Sequence, residues 1–531
     1  MLKKTLSYQD TNLFSKTVND YLAKADTLMP FLENYPDLAG FKKQLVLKKA
    51  HNLNKEQRLI LTNALEKQYQ NFAISNETKT NITLLKEENT FTITTGHQLN
   101  LFSGPLYFLY KIISAINLAK QLTEAFPTSN FVPIYWMASE DHDFEEIQYF
   151  NYQKHKITWN KEAKGAVGRL DNQGLDQSFE QFKAVLSNTD LDKELFALFE
   201  ESYLKHNSLS QATIYLANTL FKAYGLVILD ADNKDIKELF KPYVKNELEN
   251  QLCFKTVSET NTVLAQNYKI QVNPREINLF YLKDKLRERI IFKNEKYYIN
   301  NTNLVFSKGE ILNELDKHPE CFSPNVLMRP LYQEVILPNL CYIGGGGELA
   351  YWLELKAYFE ANQVVFPIYL LRNSVLIISQ KQAKQLEKLN ISIEELFLDK
   401  DTLINKKVRE KSSQPIDFKS LKKQLNQQFD TLEEAVKLTD ASFYGAVSAE
   451  KTRQIKALEK LEKRFYKAEK KHLINYASKI ENLKLELFPD GSLQERHQNF
   501  SVIYSQEGEK IIKLLAENLD PLDLMFSALT I

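Results

Sequence analysis

The sequence predicts an α/β protein: a doubly wound parallel-sheet core with insertions, plus an antiparallel α-helical coiled-coil hairpin. Two observations predict the core. Short apolar runs without polar alternation recur along the chain, as expected of strands covered on both faces. Stretches with helical periodicity separate them, the alternation of a parallel sheet wound with helices. A third observation predicts the hairpin. From about residue 381 glycine and proline thin out, and apolar residues step by three or four through lysine- and glutamate-rich sequence.

The first ninety residues are polar and helix-like, without a catalytic pattern. Phe91–Thr95 then reads as a strand rich in β-branched residues. A loop through His97–Gly104 leads to Pro105, which suits a first helical position. Leu106, Leu109, Tyr110, Ile113 and Ile116 continue at helical spacing. Further strands are expected at Phe131–Ala138, at Gly225–Asp230 (followed by a helix through Ile236, Leu239 and Phe240) and at Val364–Leu371 after a helix over Glu348–Glu360. Antiparallel pieces interrupt this alternation. Ile290–Phe292 and Tyr297–Ile299 flank a turn at Asn294-Glu295. His155–Leu170 offers a second hairpin around Gly165, and Ser307–Glu310 has the form of a capping box.

These readings divide the chain into a core over residues 1–380, with insertions at about 151–215 and 245–325, a coiled coil over 381–487, and a segment over 488–531 returning to the core. In the coiled coil, Phe418, Leu421, Leu425, Phe429, Leu432 and Val436 mark one helix. Ile455 to Leu487 marks the other, after a break near Asp440–Gly445, and Pro489-Asp-Gly491 ends it. A plain helical bundle packed on the core is the alternative.

Bulk composition excludes several classes. Lysine plus arginine equals aspartate plus glutamate at 68 each, so no global charge favours nucleic acid or anionic lipid. The three cysteines, Cys253, Cys321 and Cys341, have neither disulfide-framework nor zinc spacing. The N-terminus lacks the apolar region of a signal peptide, and the longest apolar runs are too short to cross a bilayer. A soluble, cytoplasmic protein with no metal centre is expected.

Five segments carry candidate chemistry, most of them where a strand gives way to a helix, the place where open α/β sheets bind ligands. The first is Thr94-Thr95-Gly96-His97-Gln98 with Ser103-Gly104-Pro105-Leu106-Tyr107. A strand-to-helix loop presents backbone N–H groups and a positive dipole end to an anion. His97 adds a donor there, and Lys111 on the next helical turn can reach back. A tight structural turn with a capping serine explains the same residues slightly better. The second is Ser139-Glu140-Asp141-His142-Asp143 with Glu145 and Glu146. Its five acids within seven residues suit an ammonium group, a histidine or a divalent cation. A solvated helix start accounts for Glu145 and Glu146 but less well for Asp141, His142 and Asp143. The third is Tyr342–Trp352, where Gly344, Gly345, Gly346 and Gly347 let backbone approach a ligand and Glu348 opens a helix. Arg329, in Leu327-Met-Arg-Pro330, is placed near that face and can clamp a carboxylate or phosphate; an interdomain ion pair is the alternative. The fourth and fifth are Arg372, in Leu371–Ser374, and Asp230-Ala-Asp232. No serine- or cysteine-nucleophile arrangement is visible.

Taken together, Thr95–Gln98 with Leu101–Tyr107, Pro133–Asp143, Leu327–Pro330 and Gly344–Trp352 resemble the signature blocks of the cysteine ligase family of bacillithiol biosynthesis, the BshC family. The resemblance covers most of the chain, with a coiled coil following the blocks in the right order. It implies a Rossmann-like core distantly similar to class I aminoacyl-tRNA synthetases, connecting-peptide-type insertions and a homodimer formed through the coiled coil. It implies addition of cysteine to glucosaminyl-malate, with amide formation activated by ATP and Mg2+, although no Lys-Met-Ser-Lys-Ser-like loop is present. Under that reading the Gly96–Gly104 loop holds the activated carboxyl or its phosphate. Asp141, His142 and Asp143 orient the amines and supply a general base, and Arg329 and Arg372 bind the malate carboxylates, with His97, Ser139, Glu140 and Trp352 beside them. Two other readings stay open: a nucleotidyl- or aminoacyl-transferase acting on another small molecule, and a non-catalytic assembly protein of the pathway. The catalytic expectation requires Gly96–Gly104, Glu140–Asp143 and Arg329 with Gly344–Glu348 to share one crevice.

Overall fold

Apolar runs that do not alternate need cover on both faces, and here they form three strands of a parallel sheet. The computed structural model describes residues 2–412, 416–437 and 440–531. In chain order its strands are β1 (Leu2–Leu6), β2 (Thr90–His97), β3 (Asn130–Met137), β4 (Tyr149–Tyr152), β5 (His155–Thr158), β6 (Val227–Asp230), β7 (Leu279–Lys283) and β8 (Leu286–Lys293). They continue with β9 (Lys296–Ile299), β10 (Val305–Ser307), β11 (Phe322–Pro324), β12 (Asn339–Gly344), β13 (Ile368–Leu371), β14 (Val375–Ile378) and β15 (Phe526–Thr530).

The core sheet has the order β13-β12-β2-β3-β6, and every pairing in it is parallel. The chain starts in the middle at β2, fills one side with β3 and β6, then returns to fill the other with β12 and β13. This is the Rossmann order, and it puts the topological switch point between β2 and β12. The helix Tyr107–Ala125 covers β2 and β3 with a nearly continuous buried face.

Two strand expectations change here. Gly96 and His97 are not loop residues: β2 runs on through them, pairing with Trp136 and Met137. β12 was not expected as a strand at all. Its six residues include asparagine, cysteine and glycine, and its register shifts between Asn339 and Cys341. The helix expected over Glu348–Glu360 is two helices, Gly346–Trp352 and Lys356–Ala361. The break lies where the Glu354 carboxylate turns inward to accept the Gln271 and Val272 N–H groups at 2.9 and 3.2 Å.

The insertion sheet, β10-β9-β8-β7-β11, is antiparallel throughout. Asn294 and Glu295 both take positive φ, 52° and 59°, which closes the β8–β9 hairpin tightly. The capping box is present: Ser307 Oγ accepts from Glu310 N at 3.3 Å, and Glu310 Oε2 accepts from Ser307 N at 2.7 Å. The hairpin expected around Gly165 is absent. The hairpin in that region is β4–β5, turning at Gln153-Lys154. Gly165 instead lies against the β7–β8 turn, where a Cβ would come within 2.9 Å of Lys285 and Leu286 backbone atoms.

A third sheet, β1-β15-β14, joins the chain ends, with Leu2 opposite Thr530. From it project the helices Lys400–Lys411, Phe418–Val436, Ala441–His472 and Ile474–Leu487. Lys422 pairs with Glu462 at 2.7 Å, and Lys451 with Asp430 at 2.6 Å and Glu433 at 2.9 Å, so the two long helices run antiparallel. The break expected near Asp440–Gly445 is earlier: Asp440 caps a helix that already contains Gly445, and residues 438–439 lie outside the described ones. At the base of the arm, Ala477, Ile480, Leu483 and Leu487 pack with Leu396, Leu403 and Ile404. The final segment turns back onto the core, with Phe500 5.0 Å from Phe102 between ring centroids and Asn117 donating to Ala516 O at 2.9 Å. No helix among the described residues is long and apolar enough to cross a membrane.

Candidate active site

Lys111 joins the two sides of the switch point. It sits on the second turn of the helix after β2 and is buried. Its Nζ donates to Gly96 O at 2.7 Å and pairs with Glu348 Oε2 at 2.6 Å. Glu348, in the first helical turn after β12, also accepts from Tyr342 OH at 2.6 Å and from Gly345 N at 2.9 Å. Burial pushes the Glu348 carboxyl up, but Lys111 and these bonds outweigh it and hold it below the usual range. Lys111 is held below the ordinary lysine value by burial, reinforced by Arg372 and Arg329 and opposed by Glu348. A Cβ at Gly96 would come within 2.8 Å of Tyr342 OH, so close approach of β2 and β12 requires that glycine. Thr95 Oγ1 donates to Ile343 O at 2.8 Å and ties the same two strands; its role is to join the strands rather than to face a ligand.

Three cations therefore meet two carboxylates. Arg372 is already matched: its Nη2 donates to the fully buried Glu495 at 2.8 Å, its Nη1 donates to Asn373 O at 2.9 Å, and its guanidinium lies 5.1 Å from the Tyr107 ring centre. The sequence offered Arg372 as a clamp for a substrate carboxylate; the structure gives that place to Glu495. Arg329 is not matched. Its Nη1 donates to Gln333 Oε1 at 3.0 Å, its guanidinium lies 5.7 Å from Trp136 and 5.3 Å from Tyr342, and its Nη2 is buried with no hydrogen-bond partner. His97 Nε2, Ser103 Oγ, Arg372 Nε and Trp352 Nε1 are likewise buried without partners. The His97 ring packs edge-on to Tyr107 at 5.4 Å. Burial, reinforced by Lys111, pushes its pKa down to about 3, so the imidazole is neutral at physiological pH.

The acidic block follows β3 and divides in two. Asp141 faces the β2 end: Gln98 Nε2 donates to it at 3.0 Å and to Glu146 at 2.9 Å. Burial would raise the Asp141 carboxyl, but hydrogen bonds from His142 and Gln98 and the charge of Arg287 hold it well below the usual range. Arg287 comes from β8 of the insertion sheet, and its Nη1 lies 2.7 Å from His142 Nδ1. A guanidinium can only donate, so Nδ1 accepts in this contact. Ser139 and Glu140 turn the other way. Ser139 donates to Asp230, Glu140 pairs with the buried Lys237, and Arg169 holds Asp232 bidentately at 2.6 and 2.8 Å. These two residues belong to an internal network rather than to the crevice face. Asp143 is exposed and makes no side-chain bond with other described residues.

The loop 98–104 is not an open phosphate cradle. Phe102 N donates to Tyr203 OH at 2.8 Å, Ser103 N to Asn100 O at 3.1 Å, Gly104 N to Leu101 O at 2.9 Å and Leu106 N to Gln498 O at 2.8 Å. Phe102, Ser103 and Gly104 all have positive φ, and Asn499 Nδ2 binds the Phe102 and Gly104 carbonyls at 2.7 and 2.6 Å. Their donors are spent holding the turn. The open backbone lies across the switch point instead, at Gly347, where a Cβ would meet nothing within 4 Å.

Of the segments expected to converge, Gln98 touches Asp141, Lys111 touches Glu348, and Arg329 lies over both Trp136 and Tyr342. Sequence reasoning missed Arg287 and Glu495. Arg287 lies in a strand whose residues follow no motif, and Glu495 is 123 residues from its partner. Among the described residues no cluster of histidine, cysteine, aspartate and glutamate has metal-binding geometry. Two cavities lie outside the switch point: one of about 680 Å3 at the carboxyl end of β6, and one of about 1110 Å3 at the base of the coiled-coil arm.

Strand order, the cationic switch point and the helical arm define a Rossmann-type α/β protein with a C-terminal coiled coil. The family model described as "Bacillithiol biosynthesis BshC, N-terminal Rossmann-like domain" matches residues 1–373, and the corresponding C-terminal coiled-coil domain matches residues 375–531. The chain belongs to the BshC family of bacillithiol biosynthesis. Curated relatives named "Putative cysteine ligase BshC" include one from Flavobacterium johnsoniae, 53% identical over 99% of both chains. Another, from Christiangramia forsetii, is 50% identical over 99% of this chain and 98% of its own. A third, from Cytophaga hutchinsonii, is 36% identical over 97% and 96%. A solved chain from Campylobacter jejuni, titled "putative arginyl t-RNA synthetase", is 9% identical over 88% of this chain with a TM-score of 0.23, too low to bear on fold or function.

Proposed function

We propose that this chain is a ligase that joins the cysteine carboxyl to the amine of glucosaminyl-malate, forming the amide of bacillithiol. The observation that carries the proposal is Arg329, a guanidinium with one nitrogen buried and unbonded beside the switch point. A buried guanidinium nitrogen left without a hydrogen-bond partner is costly, so the site suits an anion. A carboxylate or phosphate there would meet Arg329 Nη2.

A carboxylate does not condense with an amine without activation, and ATP, when bound, supplies the leaving group. The orphaned donors fit its phosphates as well as they fit a carboxylate. Mg2+ would be carried mainly by phosphate oxygens and water, its usual mode in such sites. Lys111 is held by Gly96 O and Glu348 and fixes the distance between β2 and β12, so the donors around it are in place before substrate arrives. Asp141, kept ionised by Gln98 and Arg287, orients the acceptor ammonium. The proton released on amide formation leaves by the exposed side of the block, at His142 and Asp143. The reaction suits the reducing cytoplasm, where a thiol product survives. The arm leaves Leu421, Leu432 and Leu461 exposed at 42, 44 and 56%, which suits a second copy of the chain packing there.

Incubation with cysteine, glucosaminyl-malate and MgATP, read by mass spectrometry, tests the reading. The expected result is the amide-linked thiol with stoichiometric nucleotide cleavage. Absence of product with all three present would remove the ligase assignment, and equal product without nucleotide would remove ATP.

A further inference from the structure

Lys48 and Glu334 form a buried ion pair at 2.7 Å that contacts none of the reacting groups. Taking two charges out of water is seldom repaid in stability, so such a pair calls for another reason. The reason lies in what Glu334 holds. Its Oε1 accepts from Gln333 Nε2 at 3.0 Å and from Asn339 Nδ2 at 2.6 Å. Gln333 Oε1 in turn accepts from Arg329 Nη1 at 3.0 Å. We propose that Gln333 and Glu334 are positioning residues for Arg329, fixing the guanidinium through one nitrogen while leaving its charge for an incoming anion. The inference rests on the reading of Arg329 as the residue that receives that anion.

This series of bonds has one direction. A guanidinium has no acceptor, so the Gln333 amide can face it only with its oxygen. Turned over, the amide would set two donors against each other at Arg329 and two oxygens at Glu334. Glu334 is itself held from several sides. Lys48, on the helix Leu38–Ala50, donates to Oε2 and also to Val365 O at 3.1 Å. Asn339 Oδ1 accepts from Thr94 Oγ1 at 2.7 Å and from Thr92 Oγ1 at 3.1 Å, which leaves its N–H groups for Glu334. Asn339 sits at the register shift of β12, the kind of irregularity that re-aims a side chain beside a functional site. Burial raises the Glu334 carboxyl, and the Lys48 charge and the amide hydrogen bonds oppose that rise. Oε1 accepts from both amides in either protonation state. A buried polar network with every member satisfied rigidifies what it holds.

The two arginines of the crevice differ in this respect. Arg372 is given a carboxylate, Glu495, which neutralises it. Arg329 is given an amide, and the Tyr351 hydroxyl that also bonds to it is kept neutral by burial. Gln333 thus holds the guanidinium without spending its charge.

Crystal structures and steady-state kinetics of the full chain test the proposal. In Gln333→Met the Arg329 guanidinium should move by about 1 Å or more from the Trp136 and Tyr342 rings, and kcat/KM for amide formation should fall at least about ten-fold. The same substitution in an Arg329→Met background should change kcat/KM less than about two-fold, because Gln333 acts through Arg329. Gln333→Glu keeps the bond to Nη1 and adds a charge. It should raise the KM of MgATP or of cysteine about ten-fold with kcat within about three-fold, and it answers the same question if Gln333→Met does not fold. An unmoved guanidinium, an equal loss in both backgrounds, or unchanged KM values in Gln333→Glu would overturn the positioning role and leave the ligase reading standing. A guanidinium displaced in Gln333→Met, with no amide formed by the wild-type chain, would overturn the ligase reading alone.

Discussion

A buried guanidinium nitrogen without a partner is costly to fold around, and although Arg329 has Gln333 Oε1, Tyr351, two aromatic faces and the charge of Glu348 around it, its Nη2 is unbonded. Removing it should separate stability from activity. Arg329→Met should leave the unfolding free energy unchanged or raised, while kcat/KM for the amide-forming reaction falls about 10- to 100-fold, the worth of one charge-assisted hydrogen bond. A fall in stability at unchanged kcat/KM would make Arg329 structural. His97 gives a pH signature. Its folded pKa, near 3, lies below the unfolded value, so the unfolded chain takes up a proton first as pH falls. The stability it contributes is whole above pH 6.5 and is lost progressively toward pH 3. Urea unfolding should show wild type losing about 2 kcal/mol more than His97→Gln between pH 7.5 and 5. Parallel losses would mean that His97 is protonated, or hydrated, in the fold. Both residues stand out in the sequence, but their states do not. Polar type and position at a strand end show where a ligand belongs, whereas the absence of a partner for Arg329 Nη2 and the presence of Glu495 beside Arg372 depend on which distant segments pack there.

At the scale of elements, the glycine block divides by what surrounds each Cα. A Cβ at Gly344 would run into the Tyr369 hydroxyl, which donates to Gly345 O, whereas at Gly347 it would meet open space. Gly344→Ala should therefore cost about 1–3 kcal/mol by overpacking. Gly347→Ala should stabilise the helix by about 0.5–1 kcal/mol and still impair substrate binding, since the methyl fills the ligand's approach. Equal destabilisation by the two would refute the assignment of the open face. β3, β6 and β13 were legible because burial on both faces leaves an unbroken apolar run, and β2 because of its β-branched residues. β12 was not, since half its residues are glycine, cysteine or asparagine and only its central position makes it a strand. The N–H groups of the loop 98–104 and of Leu106 beyond it were misjudged for a related reason: Tyr203, which accepts from Phe102 N, and Gln498, which accepts from Leu106 N, cannot be read from the loop itself.

At the scale of the whole molecule, the arm and the core were legible separately, since each follows its own period. The sheet that joins them was not, because β1 and β15 pair across the full length of the chain. The exposed leucines of the arm predict self-association. Leu421→Glu/Leu461→Glu should shift sedimentation from dimer to monomer while the core keeps its unfolding temperature; a monomeric wild type, or an unchanged dimer in the variant, would contradict the reading. The central claim is that the ends of β2, β3 and β12 make one anion-binding crevice. The most direct measurement is a crystal structure of the chain soaked with cysteine, glucosaminyl-malate and a non-hydrolysable ATP analogue. A carboxylate or phosphate within hydrogen-bond distance of Arg329 Nη2, between Gly347 and Gln98, is the predicted result. Ligand density found only at the base of the coiled-coil arm, with the Arg329 guanidinium unbonded, would contradict it.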